Sequence, residues 1–418
     1  MKTLDDLLAE GVQDRFVLLR ADLNVPHDGY TITDDGRIRA VLPTVTRLAG
    51  GGAKVVVMAH LGRPEGGPPP GRDRLESLSA VAGRLGQLLD QRVTLAKDVV
   101  GESARGVVDG LRAGGVALLG NVRCDARETG TAGEREQLAT ELVDLVSGGG
   151  GPPAAFVSDG FGVVHREQAS VVEVARKLPR YAGDLVARET EVLRRLVGEP
   201  ARPYVVVLGG SKVSDKLGVL SNLLPTVDKL LVGGAMCFTF LAARGHDVSG
   251  SRRESDMLDT CSDLLARYPD TLVLPTDVVV ASEFSADADT RTVRVDEMPE
   301  GWMGLDVGPE TVRAFGAELS GAATVFWNGP MGVFEMAPFA AGTTGVAEAV
   351  AASDAFSVIG GGDSASAIRA AGLSDEAFGH ISTGGGASLE FLQGDTLPGL
   401  AVLEETQRSG ARPSDEEK

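Results

Sequence analysis

Short apolar runs that do not alternate with polar residues recur along this chain, with helix-like stretches between them. In the first half these are FVLL at 16–19, KVVVM at 54–58, VALL at 116–119 and AAFV at 154–157. In the second half they are YVVVL at 204–208, KLLV at 229–232, TLVLP at 271–275, ATVFW at 323–327 and FSVI at 356–359. Continuous runs suit strands buried on both faces, and strand–helix alternation suits parallel sheets with right-handed crossovers. The expected fold is therefore α/β, with two doubly wound parallel-sheet lobes. At 418 residues the chain exceeds the roughly 250–300 residues at which single cores stop growing, which also favours two domains. The charged stretch 184–196 lies between the two strand series and reads as a linker helix. The boundaries this gives are a first lobe over 1–180, a linker helix over 181–200 and a second lobe over 201–399. Proline-rich 66–71 and glycine-rich 147–153 read as surface loops, and the charged tail 408–418 as poorly ordered.

The ends of the runs carry the chemistry. Three in the second half finish in glycines and small hydroxyl residues: Gly209-Gly210-Ser211-Lys212, Gly360-Gly361-Gly362-Asp363-Ser364 and Ser382-Thr383-Gly384-Gly385-Gly386. Glycine turns let backbone N–H groups approach a ligand, and the helix N-terminus that follows favours anions. With Lys212 and Lys216 four apart, the three turns point to a polyphosphate site. The first-half runs are followed instead by cations: Arg20, His60 with Arg63, Arg123, and His165 with Arg166. Open α/β sheets bind ligands at the carboxyl ends of their strands, so these arginines are expected to converge on a small phosphate- or carboxylate-bearing anion.

Composition excludes several classes. A net charge of −19 disfavours a nucleic-acid partner, whose backbone needs a basic surface. No uncharged apolar stretch approaches the roughly 20 residues that span a bilayer, and the acidic start MKTLDDLLAEG does not read as a secretory signal, so a cytoplasmic location is expected. Three widely spaced cysteines argue against a disulfide framework or a zinc cluster. Neither a heptad nor an apolar helix stripe demands a partner, so a monomer is expected. A nicotinamide dehydrogenase is disfavoured because no Gly-x-Gly-x-x-Gly turn with a ribose-binding acid follows the first strand, and a P-loop ATPase because no Gly-x-x-x-x-Gly-Lys-Ser/Thr occurs.

The ordered motifs resemble those of phosphoglycerate kinases over nearly the whole chain. They are Arg20-Ala21-Asp22-Leu23-Asn24-Val25-Pro26, His60-Leu61-Gly62-Arg63-Pro64, His165-Arg166, Gly210-Ser211-Lys212-Val213-Ser214-Asp215-Lys216, Trp327-Asn328-Gly329-Pro330 through Glu335, and the two later glycine turns. The resemblance implies two Rossmann-like lobes joined by a helix and able to close, with 400–418 returning to the first. It also implies reversible phosphoryl transfer between 1,3-bisphosphoglycerate and ADP, giving 3-phosphoglycerate and ATP, with Mg²⁺ carried by the nucleotide.

By position, Asp22, Leu23, Asn24, Arg37, His60, Leu61, Gly62, Arg63, Arg123 and Arg166 match the family's phosphoglycerate site. Gly210, Ser211, Lys212, Lys216, Gly304, Asn328, Glu335, Gly361, Gly362, Asp363 and Ser364 match its nucleotide site. Asp363 matches the carboxylate associated with the magnesium and Glu335 the one facing the ribose. Arg37 and Lys212 match the cations near the transferring phosphoryl group, with Gly361 and Gly385 as catalytic turn glycines. Ala59, Gly120, Cys124, Ser158, Gly160 and Ser211 depart from the family's common residues, and none removes a charge assigned above. They keep one alternative open, a divergent paralogue serving as a nucleotide-binding scaffold or acting on a related acyl phosphate.

Overall fold

The structure is a computed structural model, and it describes residues 1–28, 31–62, 73–148 and 151–405. Arg63, the loop 66–71, Gly149, Gly150 and the tail 408–418 lie outside the described residues. The chain divides into two units, Met1–Glu189 with the stretch from Thr396, and Thr190–Asp395.

The first unit is built on a six-stranded sheet of β1 (Phe16–Ala21), β2 (Lys54–Met58), β3 (Val93–Leu95), β4 (Val116–Leu118), β5 (Ala155–Asp159) and β6 (Arg180–Ala182), in the order β3-β4-β2-β1-β5-β6. Every pairing is parallel, with Leu19 opposite Val57 on one side and Val157 on the other. Val17, Leu19, Val55, Val57 and Val157 are each fully buried, which is why these runs carry no polar alternation. Because all strands run the same way, the residues following β1, β2, β4 and β5 emerge along one edge.

The second unit repeats the plan. Its six strands are β7 (Tyr204–Leu208), β8 (Lys229–Val232), β9 (Leu272–Val273), β13 (Thr324–Asn328), β14 (Phe356–Gly360) and β15 (His380–Ile381), in the order β15-β14-β13-β7-β8-β9 and all parallel. Trp327, fully buried in β13, donates Nε1–H to the Gly329 carbonyl at 2.8 Å, so it is core rather than a stacking surface. An antiparallel sheet of β10 (Asp277–Ala281), β11 (Thr290–Arg294) and β12 (Met303–Val307), in the order β11-β10-β12, stands beside it.

The boundaries differ from the sequence expectation in physical detail. β6 begins at residue 180 and runs to 182 because Phe156, Val157 and Ser158 of β5 supply it with a parallel partner, so the first sheet continues past the expected boundary. Helix Asp184–Val197 occupies the expected linker, but the division between the units falls inside it, at Glu189 and Thr190. Its first turn is fastened to the first unit: Asp159 Oδ1 accepts from Leu185 N at 2.8 Å, and Thr44 Oγ1 accepts from Asp184 N at 3.0 Å. Helix Pro398–Glu404 packs on the first unit, with Gly399 N donating to Val164 O at 2.7 Å and Arg180 Nη2 to Glu405 O at 2.9 Å.

Candidate functional site

In the first unit the edge of the sheet gathers cations around His60. After β1, Asp22 Oδ1 accepts from Asn24 N at 3.2 Å, and its Oδ2 is paired with Arg37 at the start of helix Gly36–Gly50. After β2 come His60 and Leu61, both buried, then Gly62, whose φ of +67° suits a residue without Cβ. Gly62 joins three elements: its N–H donates to Asn24 Oδ1 at 2.8 Å, and its carbonyl accepts from Arg123 Nη1 at 2.8 Å. Asn121, which sequence reading did not single out, fixes this arrangement. Its Nδ2 donates to Leu61 O at 2.8 Å and its Oδ1 accepts from Arg123 N at 3.1 Å. After β5, Arg166 Nε donates to His165 Nε2 at 3.1 Å. Leu23 is fully buried and holds the loop by packing.

The convergence shows in the electrostatics. Burial, and then the charges of Arg20, Arg123, Arg37 and Arg166, push the His60 imidazole down to about 2. Burial and Arg166 push His165 down to about 4, with Asp22 opposing. Both rings are therefore neutral near pH 7, and the positive charge resides on guanidiniums. Arg20 requires a correction. It does not face the anion site but is fully buried, with Nε donating to Ser170 Oγ at 2.8 Å and Nη1 to Ala21 O at 2.5 Å. A strand residue points to alternate faces, and at position 20 that direction leads into the core beside buried Glu128.

In the second unit, glycines after the parallel strands knit three turns together. Gly210 has φ +108°, Gly361 +90° and Gly385 +52°, each a backbone that side chains rarely adopt. Gly210 N donates to Pro330 O at 3.1 Å and Met236 N to Gly210 O at 3.1 Å, tying the ends of β7, β8 and β13. A Cβ on Gly209 would meet Pro330 O at 2.1 Å, so the backbones approach only because no side chain intervenes. Gly361 caps helix Gly362–Ala370 and Gly385 caps helix Gly386–Gln393, presenting both N-termini at that edge.

Side chains complete the cradle. Lys216 Nζ is bonded to Asn328 Oδ1, and Asn328 Nδ2 donates to Gly360 O at 2.7 Å. Burial lowers the Lys216 amine to about 8, with Asp215 and Asp363 opposing. Ser364 Oγ accepts from Gly329 N at 2.8 Å, so it braces the neighbouring turn. Lys212 and Ser211 are exposed, and the Lys212 charge helps to lower Glu254, which accepts from Val213 N at 2.6 Å and Ser214 Oγ at 2.5 Å.

A cleft of about 490 Å³ adjoins the turns. Gly210, Ser211, Gly304, Glu335 and Asp363 line it, beside Met303, Leu305, Pro330, Val333 and Phe284. Of those apolar walls, Pro330 and Val333 fall within a quoted motif, whereas Met303, Leu305 and Phe284 were invisible to motif reading; together they form the kind of apolar slot that a nucleobase needs. Gly304 is required there, because a Cβ would lie 1.9 Å from Phe238 Cζ.

Asp363 and Glu335 are carboxylates at this cleft, and the charge of Asp363 reaches Lys216. Mg²⁺ is bound through one or two carboxylates together with phosphate oxygens, and Asp363 with a polyphosphate fits that donor set. Among the described residues no helix is long and apolar enough to cross a membrane.

Comparison with known proteins agrees with this two-part construction. The family model described as phosphoglycerate kinase matches residues 4–395. The chain is 60% identical over 407 residues to the phosphoglycerate kinase of Corynebacterium urealyticum, covering 96% of this chain and 99% of that one. It is also 60% identical over 407 residues to that of Salinispora tropica, covering 97% and 99%. Among solved structures, the phosphoglycerate kinase of Coxiella burnetii aligns with TM-score 0.80 at 36% identity, covering 94% of this chain and 97% of that one. That of Pyrococcus horikoshii aligns with TM-score 0.83 at 33% identity, covering 96% and 98%. With fold, motif order and sequence in agreement over essentially its full length, the chain belongs to the phosphoglycerate kinase family.

Proposed function

We infer that this chain catalyses reversible phosphoryl transfer between 1,3-bisphosphoglycerate and ADP, giving 3-phosphoglycerate and ATP in glycolysis and gluconeogenesis. The observation that carries the reading is a pairing of chemistries in one chain. One unit gathers Arg37, Arg123 and Arg166 about a neutral His60, and the other sets glycine turns, Lys216 and Asp363 around a nucleotide-sized cleft.

In the ATP-consuming direction a carboxylate oxygen of 3-phosphoglycerate forms a bond to the γ-phosphorus as the bond from that phosphorus to the β,γ-bridging oxygen breaks. The acceptor is already ionised at neutral pH, so no general base is required and no proton need move. The transition state spreads negative charge over the equatorial oxygens, and positioned cations and backbone N–H groups answer it. We assign Arg37 and Lys212 to that charge, with the N–H groups that follow Gly361 and Gly385. Asp22, Leu23, Asn24, His60, Leu61, Gly62, Arg63, Arg123 and Arg166 form the phosphoglycerate half-site. Gly210, Ser211, Lys216, Gly304, Asn328, Glu335 and Gly361 through Ser364 form the nucleotide half-site.

Bound Mg²⁺ neutralises phosphate charge, and Asp363 is the residue that would hold it. Transfer without hydrolysis needs both substrates in line and shielded from water, a task for closure of one lobe on the other. A cytoplasmic monomer is the setting this reading assumes.

The test is a coupled assay with 3-phosphoglycerate and MgATP, run beside Arg37→Ala and Lys212→Ala. Turnover in the parent that falls at least about a hundredfold in both variants supports the assignment. A folded, nucleotide-binding parent without turnover would instead favour the scaffold or altered-acceptor alternative.

A further inference from the structure

The buried Arg20 is a strand-end cation of the first unit that the reaction does not use, yet it reaches a residue that the reaction does. Its Nη2 lies 3.2 Å from His60 Nδ1. A guanidinium has only N–H donors and no lone pair to offer, so the contact is a hydrogen bond only if Nδ1 is the acceptor. The imidazole proton must then sit on Nε2. We propose that Arg20 is a positioning residue that holds His60 as the neutral Nε2–H tautomer, so that the ring meets the acyl substrate as a hydrogen-bond donor rather than as a cation.

Arg20 cannot turn away from this task. Its Nε donates to Ser170 Oγ at 2.8 Å, and Ser170 in turn donates Oγ–H to Glu128 Oε1 at 2.6 Å and N–H to Glu128 Oε2 at 3.0 Å. Arg20, Ser170 and Glu128 are each fully buried, so the chain from Glu128 through Ser170 to Arg20 is shielded from water. Moving the His60 proton to Nδ1 would set N–H against N–H across that contact.

Adding a second proton would place an imidazolium beside Arg20 and within the field of Arg37 from helix Gly36–Gly50, Arg123 from the turn after β4 and Arg166 after β5. Asp22, beside Arg37 and acting on Arg20, is already engaged by those two guanidiniums. The depressed basicity of His60 agrees with this geometry. The substrate part of the proposal rests on reading the cation cluster as the phosphoglycerate half-site, whereas the tautomer does not.

The experiment is a long-range ¹H–¹⁵N correlation spectrum of the full-length free protein from about pH 5.5 to about pH 8.5, with His60 identified by its loss in His60→Gln. The expected result is an unprotonated Nδ1 and a protonated Nε2 that stay unchanged across the range. An Nδ1–H tautomer, or a titration midpoint inside the range, overturns the proposal whatever the enzyme's activity.

The double variant Arg20→Met/Glu128→Gln removes the donor without orphaning a buried carboxylate. If it folds, His60 should show mixed tautomers, and KM for 3-phosphoglycerate should rise at least about fivefold while kcat changes less than about twofold. A folded double variant whose His60 remains a single Nε2–H tautomer also overturns the role given to Arg20. If the variant does not fold, the parent spectrum decides alone. An unchanged parent spectrum without kinase turnover would keep the tautomer and discard the function.

Discussion

Raising the pH should disable the nucleotide half-site through one side chain, Lys216. Its amine is partly desolvated between Asn328 and the turn after β7, and its proton is held only to about pH 8. The charged form is therefore about 90% populated at pH 7 and about 10% at pH 9. If only that form receives the nucleotide's phosphates, kcat/KM for MgATP falls about ninefold over the interval, with the free enzyme's inflection near 8. The limit at high pH is the loss of one charge-assisted bond, roughly 1.5–3 kcal/mol, or about 10- to 150-fold.

Two variants locate the effect. Lys216→Arg, charged throughout, should lose the inflection whatever its absolute rate. Asp215→Asn removes a carboxylate that holds the proton on Lys216, so its inflection should move to lower pH. The assay is a quenched direct measurement of ADP formation at saturating 3-phosphoglycerate, with circular dichroism at each pH to exclude unfolding. A flat profile from pH 7 to about 9.5, or an inflection that persists in Lys216→Arg, would refute the reasoning.

Further outcomes follow from other contacts. Gly304→Ala drives a methyl toward the Phe238 ring and should cost about 1–3 kcal/mol of stability, with weaker MgADP binding, as read by denaturant melts and calorimetry. Asp159 is pushed up to about 8 by burial, whereas its unfolded value is 3.8. Between those values the folded state holds a proton that the unfolded state has released, so this group's contribution to stability is largest at low pH and is lost as pH rises toward 8. Asp159→Asn, which has no proton to lose, should gain on the parent by at most about 1.4 kcal/mol per pH unit between pH 5 and 8 in matched melts. Cys237 and Cys261 are buried and their thiols are raised, Cys261 to about 12, so neither should react with a disulfide reagent until the protein unfolds.

Much of this fold is legible because buried parallel strands leave an unmistakable trace. The valines of 55–57 and 205–207 have no polar alternation to confuse them, and both faces of each are covered. Three of the four edge strands of the parallel sheets left no such trace: Val93–Leu95 is only half-buried, and Arg180–Ala182 and His380–Ile381 are too brief and polar to stand out. Two strands of the antiparallel sheet were missed for a different reason, whereas the valines 278–280 of its middle strand carry the same unalternated pattern and were overlooked. Thr290–Arg294 is largely exposed, and Met303–Val307 carries a glycine and an aspartate that read as loop.

At the sites, glycines declared themselves because positive φ selects them, as at Gly210, Gly361 and Gly385. Arg20 was misread because sequence gives a charge but not its partner. Ser170, which receives its Nε–H, lies 150 positions away. Asn121 and Phe284 carry no motif at all. Their roles arise from backbone carbonyls and cleft walls that exist only after folding.

The proposed function requires two separate half-sites, one for the acyl substrate in the first unit and one for nucleotide in the second. Isothermal titration of the parent, Arg123→Ala and Lys216→Ala with 3-phosphoglycerate and with MgADP tests it directly. Arg123→Ala should weaken 3-phosphoglycerate at least about tenfold and leave MgADP within about twofold, and Lys216→Ala should do the reverse. Loss of both ligands in a single folded variant, or of neither in both, would contradict the division of labour.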